Sequence, residues 1–232
     1  MSTNIHDIQA EILKELLFKE YSRFSEINTK KISSDQFTFH LKRLVEQGIV
    51  LKTDDGLYRL SAMGKEYANR FDTDSAKVTF EKQAKLTAVV VAMRMVGGKN
   101  EYLMQVRQKH PFFGFRGFVV GKIKIGESVI EAAARELKEE AGLEGALEQR
   151  AIYHERILSQ EKELLEDKYF FMFLVHNPTG ELIKEFSGGR NEWIPESQVL
   201  EGNIFYDIAD LLALVRAKTF SFSEKSYTVE KY

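Results

Sequence analysis

The chain has 232 residues, of which 44% are hydrophobic, 12% aromatic and 29% charged, which is typical of a folded globular protein and excludes global disorder. Its net charge of -2 excludes a strong positive field that would attract nucleic acid or anionic lipid. The absence of cysteine excludes disulfides, a thiolate nucleophile, iron–sulfur clusters and cysteine-ligated zinc. The N-terminus lacks the pattern of a signal peptide, and the longest apolar run, 86–93, is too short to cross a bilayer. We therefore expect a cytoplasmic protein with no membrane partner.

Helical patterns dominate the beginning of the chain. Apolar residues recur at helical spacing between Ile8 and Leu17, and a second short helix is predicted over 22–28. A third helix is capped within 33–35 and stops at Gly48, since glycine readily adopts the left-handed conformation that ends helices. These patterns predict three consecutive helices.

A hairpin follows the third helix. Two short apolar runs, 49–52 and 57–60, flank an Asp-Asp-Gly turn, and Asp-Gly between apolar runs is a strong hairpin signal. Ser61 then caps a helix that is predicted to run through Phe71. Three helices, a hairpin and a closing helix resemble a winged helix-turn-helix domain, which we place at residues 1–75.

The resemblance to a winged helix implies duplex DNA as a partner, contacted by the third helix. However, residues 1–75 carry eleven basic and twelve acidic side chains, a net charge of -1, and Asp54 and Asp55 lie at the tip of the predicted wing. Because phosphate neutralisation drives DNA affinity, charge argues against DNA, and a protein contact is the alternative. The side chains predicted to meet a DNA groove are Gln36, Thr38, His40, Lys42 and Arg43.

Strands and helices mix in the rest of the chain. Residues 86–95 and 102–107 predict two strands joined by a Gly-Gly-Lys-Asn turn, and 169–175 predicts a further strand. A helix is predicted over 207–217. Such a mixture favours an α+β class. The predicted divisions are a linker at 76–85, a second domain at 86–218 and a C-terminal tail at 219–232.

The most informative stretch runs from Gly121 to Leu143. Ser128 and Glu131 form a capping box, which predicts that a helix begins there. Gly142 fits the left-handed residue that ends such a helix. The predicted buried stripe of this helix consists of Ile130, Ala133, Ala134, Leu137 and Ala141.

Three glutamates of this helix, Glu136, Glu139 and Glu140, lie on one arc beside the stripe. Like charges at this spacing repel one another in water, whereas a hard divalent cation such as Mg²⁺ or Mn²⁺ prefers carboxylate oxygens. Arg135 lies four residues before Glu139 and can hold that carboxylate in one rotamer. Gly121 gives the preceding loop freedom to turn a backbone carbonyl toward the metal. A solvated acidic helix face is the alternative interpretation of the glutamates alone.

The complete pattern is similar to the Nudix box, G-x5-E-x7-R-E-U-x-E-E-x-G-U, in which U is a bulky aliphatic residue. All nine specified positions between Gly121 and Leu143 are filled. The resemblance implies that residues 86–218 form a Nudix fold, an α/β/α sandwich with a mixed β-sheet. It also implies a metal-dependent enzyme, with Mg²⁺ or Mn²⁺ as cofactor, that hydrolyses the pyrophosphate bond of a nucleoside diphosphate linked to another moiety.

The resemblance further implies roles for the charged residues of the box. Arg135 is expected to orient the acids, and Glu127 to support the loop and the helix start. The general base is left open between Glu127 and a residue of a later loop, for which Glu185 and Glu192 are candidates. The expected catalytic residues are Glu127, Arg135, Glu136 and Glu139, and the expected metal ligands are Gly121, Glu136, Glu139 and Glu140.

The segment 110–118, just before the box, is unusually aromatic. Four of its phenylalanines could stack on a nucleobase, and Arg116 could bind phosphate, while packing in a core or at a dimer contact is the alternative for the phenylalanines. The four are Phe112, Phe113, Phe115 and Phe118. The substrate markers of the family give little help, since Leu158 stands where ADP-ribose enzymes commonly have proline. The sequence therefore predicts a nucleotide-type substrate without specifying which one.

Two functions follow from the combination of domains. The first is an active hydrolase whose extra domain dimerises, recruits a partner or regulates. The second is a transcription regulator that uses the Nudix domain as a sensor of a nucleotide metabolite. Known regulators of this kind usually carry the winged helix after the Nudix domain and often have a decayed box, so the order and the intact box favour the enzyme. A homodimer is expected in either case.

Overall fold

The computed structural model describes residues 5–30, 32–72, 79–80 and 82–232. The chain divides into two compact units, Met1–Lys82 and Gln83–Tyr232. Of the predicted linker at 76–85, residues 76–78 and 81 lie outside the described residues. None of the described helices is long and apolar enough to cross a membrane.

The first unit contains the expected helices and hairpin. His6 caps α1 by accepting a hydrogen bond from the backbone N–H of Ile8 at 3.2 Å, and the helix buries one apolar face. In the hairpin, Val50 pairs with Leu60, as the Asp-Gly turn predicts. The elements are α1 (Asp7–Leu17), α2 (Phe24–Ile27), α3 (Ser34–Glu46), β1 (Val50–Lys52), β2 (Tyr58–Leu60), α4 (Ala62–Ala68), β3 (Phe71–Asp72) and β4 (Thr79–Phe80).

The helix predicted to run through Phe71 is shorter than expected. It ends at Ala68, and Phe71 instead begins strand β3, where it pairs with Phe80 of β4. The rings of Phe71 and Phe80 lie 5.2 Å apart, and Phe71 is buried. The prediction was wrong because an aromatic contact outside the helical segment decides the conformation of Phe71.

The second unit is a mixed sheet between two helices. Its main sheet, counted over the described residues, has nine strands in the order β13-β14-β6-β5-β11-β10-β15, with β7 attached to β6 and β8 to β5. The β5–β11 and β10–β15 pairs are parallel, and the other pairs of this sheet are antiparallel. The elements are β5 (Lys85–Val96), β6 (Lys99–Arg107), β7 (Arg116–Gly117), β8 (Val119–Lys122), α5 (Val129–Ala141), β9 (Leu143–Glu144), β10 (Glu148–Leu158), β11 (Leu164–His176), β12 (Thr179–Gly180), β13 (Glu185–Phe186), β14 (Gly189–Pro195), a 3₁₀ turn (Glu196–Gln198), α6 (Ile208–Arg216) and β15 (Ser221–Thr228).

Alternation along β5 explains why both faces of the sheet are covered. Val89 and Val91 pack in one apolar cluster with α6, whereas Ala88 and Val90 pack in another with α5. Successive side chains of a strand point to opposite faces, so an unbroken apolar strand is expected where both faces are buried. The α/β/α layering that was predicted for this region is therefore present, with α5 and α6 as the outer layers.

The predicted C-terminal tail at 219–232 is wrong for residues 221–228. These residues form β15, which pairs in parallel with β10. The side chains of Glu224 and Lys225 bond to His154 at 2.6 Å and Asp210 at 2.7 Å. Backbone pairing with β10 and polar side-chain contacts account for much of what holds this edge strand, so apolar periodicity does not reveal it.

The ends of α5 are confirmed, but its buried face is not the one predicted. Ser128 caps the helix together with Glu131, and Gly142 ends it with a φ of 72°. Ile130 is half exposed and Ala134 is exposed, so neither belongs to the buried stripe. The helix is rotated so that a glutamate shares the buried face, which a count of apolar residues cannot anticipate. The buried residues of α5 are Ala132, Ala133, Glu136, Leu137 and Ala141.

Candidate active site

The carboxyl group of Glu136 lies directly against strand β8. Glu136 is only 9% exposed, and a Cβ atom added to Gly121 would come within 1.8 Å of its Cδ. A side chain at position 121 and the present position of Glu136 therefore exclude each other. Gly121 provides space for Glu136, and its carbonyl as a metal ligand stays a prediction.

Arg135 connects three glutamates of the box. Its Nε and Nη2 atoms donate to the two carboxylate oxygens of Glu127 at 2.5 and 2.9 Å, a bidentate pair. Its Nη1 atom donates to Glu136 at 2.5 Å and to Glu139 at 3.2 Å. The guanidinium also donates to the carbonyl of Lys122 at 3.0 Å. Arg135 thus ties α5 to the loop before it, as the predicted orienting role requires.

Glu127 is fully engaged by its neighbours. Hydrogen bonds from Arg135 and from the backbone N–H of Lys124, at 2.9 Å, lower the pKa of Glu127 to about 2. A carboxylate with so low a pKa is a weak acceptor of protons near neutral pH. This geometry fits the supporting role expected for Glu127 better than the role of general base.

Glu140 occupies a different environment from the other acids of the box. Burial raises its pKa, and the nearby charge of Glu136 raises it further, against the hydrogen bond that Gln105 donates at 3.0 Å. Gln105 also donates to Asn191 at 3.2 Å, and Asn191 donates to the backbone carbonyl of Glu140 at 2.7 Å. Gln105 and Asn191 are buried polar residues that fix the last turn of α5, and no sequence signal marked them.

A cavity of about 710 Å³ brings part of the box together with many charged side chains. Gly121, Glu136 and Glu140 line it, whereas Glu139 does not and has a side chain that is 56% exposed. A cavity of this size can hold a nucleotide-sized ligand. The basic side chains of the lining are Lys85, Arg107, Lys109, Lys122, Lys124 and Lys168.

The carboxylates have the donor chemistry of a divalent-metal site without forming a closed one. Over the described residues, no group of three or more His, Asp or Glu side chains converges in a way that could hold a metal ion. Glu136 and Glu140 nevertheless repel each other while lining one cavity, and a hard cation would offset that repulsion. The pair therefore fits Mg²⁺ or Mn²⁺ as two of its oxygen ligands, with the remaining positions left to water or phosphate.

The aromatic segment before the box contributes differently from the prediction. Phe118 lines the cavity, but it is also 3% exposed and packs in the core. Phe115 and Arg116 are not part of the lining, because Phe115 packs against Phe112 and Arg116 donates to the backbone carbonyl of Glu201. Phe112, another phenylalanine predicted to stack on a nucleobase, does line the cavity, whereas Phe113 does not.

Neither of the alternative base candidates reaches the cavity lining. Glu185 is exposed at the start of β13, and Glu192 is held by Arg190 at 2.6 Å. The lining instead contains three acids that sequence analysis did not single out, Glu155, Glu166 and Asp207. They come from β10, β11 and the start of α6, so only the folded sheet brings them together.

In the first unit, the residues predicted to meet DNA divide into two groups. Gln36, Thr38, Lys42 and Arg43 are exposed on α3. His40 is buried and stacks on His6 with ring centroids 4.0 Å apart, so its predicted contact with DNA is wrong. Position 40 falls on the buried face of α3, and a polar residue type alone does not reveal this.

Comparison with known proteins agrees with this architecture. The family model described as NUDIX domain matches residues 85–215. No curated protein matches the chain. Among solved structures, a MutT protein from Bacillus halodurans is 21% identical with a TM-score of 0.54, over 64% of this chain and 93% of that one. The NUDIX domain of Shewanella oneidensis NrtR, complexed with ADP ribose, is 21% identical with a TM-score of 0.52, over 65% and 95%.

At these identities the solved structures show the fold alone. The family match does more, because it covers more than half of the chain and includes the complete box from Gly121 to Leu143. The chain therefore belongs to the NUDIX domain family of pyrophosphohydrolases.

Proposed function

We propose that the second unit hydrolyses the pyrophosphate bond of a nucleoside diphosphate linked to another moiety, with Mg²⁺ or Mn²⁺ as cofactor. The observation that carries this proposal is that Glu136 and Glu140 line the same cavity as six basic side chains. Carboxylates suit a hard cation, and lysine and arginine suit the oxygens of a diphosphate. The ADP ribose complex of the NrtR domain supports a nucleotide-type ligand.

Some side chains of the site would hold the metal ion, and others orient the carboxylates that hold it. Glu136 and Glu140 would hold the metal ion, which when bound polarises phosphoryl oxygens and lowers the pKa of a coordinated water. Arg135 keeps Glu136 in place, and Gln105 orients Glu140. Lys109 contributes a positive charge close enough to lower the pKa of Glu140, and it would neutralise phosphate oxygens bound beside that carboxylate. Glu127 supports Arg135.

A substrate panel with Mg²⁺ tests this proposal. The panel contains ADP-ribose, NADH, nucleoside triphosphates, diadenosine polyphosphates and nucleotide sugars, with phosphate-containing products measured by chromatography. We expect turnover of at least one compound, and a fall of at least about 100-fold in Glu140→Gln because the metal contributes several kcal/mol to transition-state stabilisation.

Glu144→Gln is the matched control for this substitution. Glu144 lies just beyond α5, is paired with Lys138 at 2.6 Å and does not line the cavity. Its variant is expected to keep the wild-type rate. Absence of turnover across the panel, or equal rates in Glu140→Gln and wild type, would contradict the proposed hydrolysis.

A second candidate function rests on the first unit. We infer that α1–α3 and the β1–β2 hairpin form a winged helix-turn-helix domain, since α3 exposes polar and basic side chains next to a hairpin. In a regulator, these side chains would contact DNA while the Nudix domain senses a nucleotide metabolite. Nanomolar, salt-sensitive binding to an operator duplex, without turnover of the panel, would favour the regulator. Turnover that depends on Glu140 would favour the hydrolase.

A further inference from the structure

One wall of the cavity carries an ionic network whose acids are buried and which the box does not supply. Lys168 lies 3.1 Å from Glu155 and 2.5 Å from Glu166, and Lys85 lies 3.0 Å from Glu166. Glu155 is 3% exposed and Asp207 is 5% exposed. The side chains of Glu155 and Asp207 hydrogen-bond to each other, and all five residues line the cavity.

Both lysines of the network are paired with carboxylates. Burial, followed by the charge of Glu155, raises the pKa of Asp207 well above its ordinary value, which favours a proton shared in the hydrogen bond between the two carboxyl groups. Lys168 pairs with both Glu155 and Glu166, and Lys85 pairs with Glu166. Because these lysines are already paired, an uncharged ligand group with hydrogen-bond donors would suit this wall of the cavity.

Stability alone gives little reason for this arrangement. A buried ion pair is often no more stabilising than apolar residues of similar volume, because both charges lose their hydration. A carboxylate has about four lone-pair directions, and Lys168 and Asp207 occupy two of those of Glu155. Acceptor capacity therefore remains on a residue that lines the cavity together with Phe170, whose ring Lys168 covers at 5.3 Å.

We propose that the Glu155–Asp207 pair is a specificity-determining subsite that accepts hydrogen bonds from N–H or O–H donors on the uncharged part of the substrate. This inference rests on the proposed function, in which the diphosphate lies at Glu136 and Glu140. The donors come from either a nucleobase amine or sugar hydroxyls, since both present the same chemistry to a buried carboxylate. The subsite thereby selects the organic part of the substrate, while the box acts on its pyrophosphate.

Calorimetric binding in EDTA tests the subsite without any metal. The probes are ADP, GDP, UDP, CDP and inorganic pyrophosphate, which contains only the diphosphate. Glu155→Gln turns one acceptor oxygen into a donor. We expect this variant to bind the tightest-binding nucleotide at least tenfold more weakly and to bind pyrophosphate with unchanged affinity. Analogues of that nucleotide without the exocyclic amine, or without the ribose hydroxyls, identify which group donates the hydrogen bond. The analogue that lacks the donor should bind wild type more weakly than the parent nucleotide does, but should bind Glu155→Gln as well as the parent does.

A matched control and a second variant keep the test decisive. Glu163→Gln removes an exposed carboxylate that is not part of the lining and should leave every affinity unchanged. If Glu155→Gln fails to fold, Asp207→Asn tests the pair from the other side, since its amide presents a fixed donor toward the ligand and should weaken the same nucleotide. A wild type that binds none of the nucleotides, or a variant that weakens pyrophosphate and nucleotides equally, would overturn the subsite.

Turnover separates this inference from the function on which it rests. In the Mg²⁺ assay, Glu155→Gln should raise KM for the preferred substrate at least tenfold with little change in kcat, because it removes binding that does not depend on the reacting bond. If wild type turns over nothing, the proposed hydrolysis fails, and the calorimetry still decides whether the pair selects nucleotides. A fall in kcat with unchanged KM would assign Glu155 to positioning of the box instead and overturn the subsite.

Discussion

Single residues of the box differ in ways that a row of acids in the sequence does not show. Glu136 is buried against β8, Glu140 faces Gln105 in the cavity, and Glu139 remains exposed beside Arg135. Residue types and spacing were enough to nominate all three. Their separation depends on the orientation of α5 against the sheet, which is a property of the fold and not of the box.

We expect Gly121→Ala to abolish activity and to destabilise the second unit. The added methyl group would overlap Glu136, and relief requires either the carboxylate or strand β8 to move. Overpacking of this kind typically costs about 1–3 kcal/mol. Thermal unfolding and the Mg²⁺ assay measure the two effects.

Glu136→Ala provides the matched background for this prediction. Once the carboxylate is gone, the new methyl group has space, so Gly121→Ala should cost much less stability than in wild type. Such non-additivity is the signature of two groups in direct contact. An equal loss of stability in both backgrounds would show that glycine is required at position 121 for its backbone conformation and not to leave space for Glu136.

At the level of elements, features set by neighbouring residues could be predicted from the sequence, whereas features set by residues elsewhere in the chain could not. The capping box at Ser128 and the left-handed Gly142 are local, so both ends of α5 could be read from the sequence. β15 depends on His154 and Asp210, whose positions in the sequence lie outside the strand, and nothing within 221–228 identifies them. The same reason hid Gln105 and Asn191, whose roles arise only when β6 and β14 pair.

The side chain of His154 links three strands, and we expect its contribution to the stability of the native state to decrease as the pH rises. Burial by itself lowers its pKa, but hydrogen bonds to Glu224 of β15 and Asp167 of β11 outweigh burial and raise the pKa above 6.5. Protonated His154 therefore stabilises the native state. This stabilisation is complete below pH 6.5 and is lost as the pH rises through the native pKa.

Comparison of wild type with His154→Gln measures this effect. The difference in Tm between the two proteins should be larger at pH 6 than at pH 9, because the glutamine carries no charge to lose. Hydrogen exchange of residues 221–228 should follow the same trend. A difference in Tm that is constant over this range would contradict the charged pairing.

At the scale of the whole molecule, His40 of the first unit and His154 of the second are expected to respond to acid with opposite signs. Burial, with nearby His6 and Arg43, lowers the pKa of His40 in the first unit. Protonation of His40 therefore favours the unfolded state, so the first unit is most stable above pH 6.5 and loses stability as the pH falls through the native pKa.

His40→Phe is the variant that tests the acid sensitivity of the first unit. Among the described residues, the Nδ1 atom of His40 has no hydrogen-bond partner, so phenylalanine forfeits no bond there and keeps the stack on His6. Hydrogen exchange of peptides from 32–72 in the full chain should accelerate between pH 7 and pH 5 in wild type, relative to the variant. Equal acceleration in both would assign the acid sensitivity to other groups.

The order of the strands has a consequence for how the protein is made on the ribosome. All described elements of the first unit are contiguous in the chain, so that unit can close on itself while the rest is still being translated. The second unit cannot complete its sheet during translation, because β15, the neighbour of β10, is synthesised after every other strand of that sheet. Until then, one edge of β10 remains unpaired, and nascent chains stalled before residue 221 should rely most heavily on chaperones.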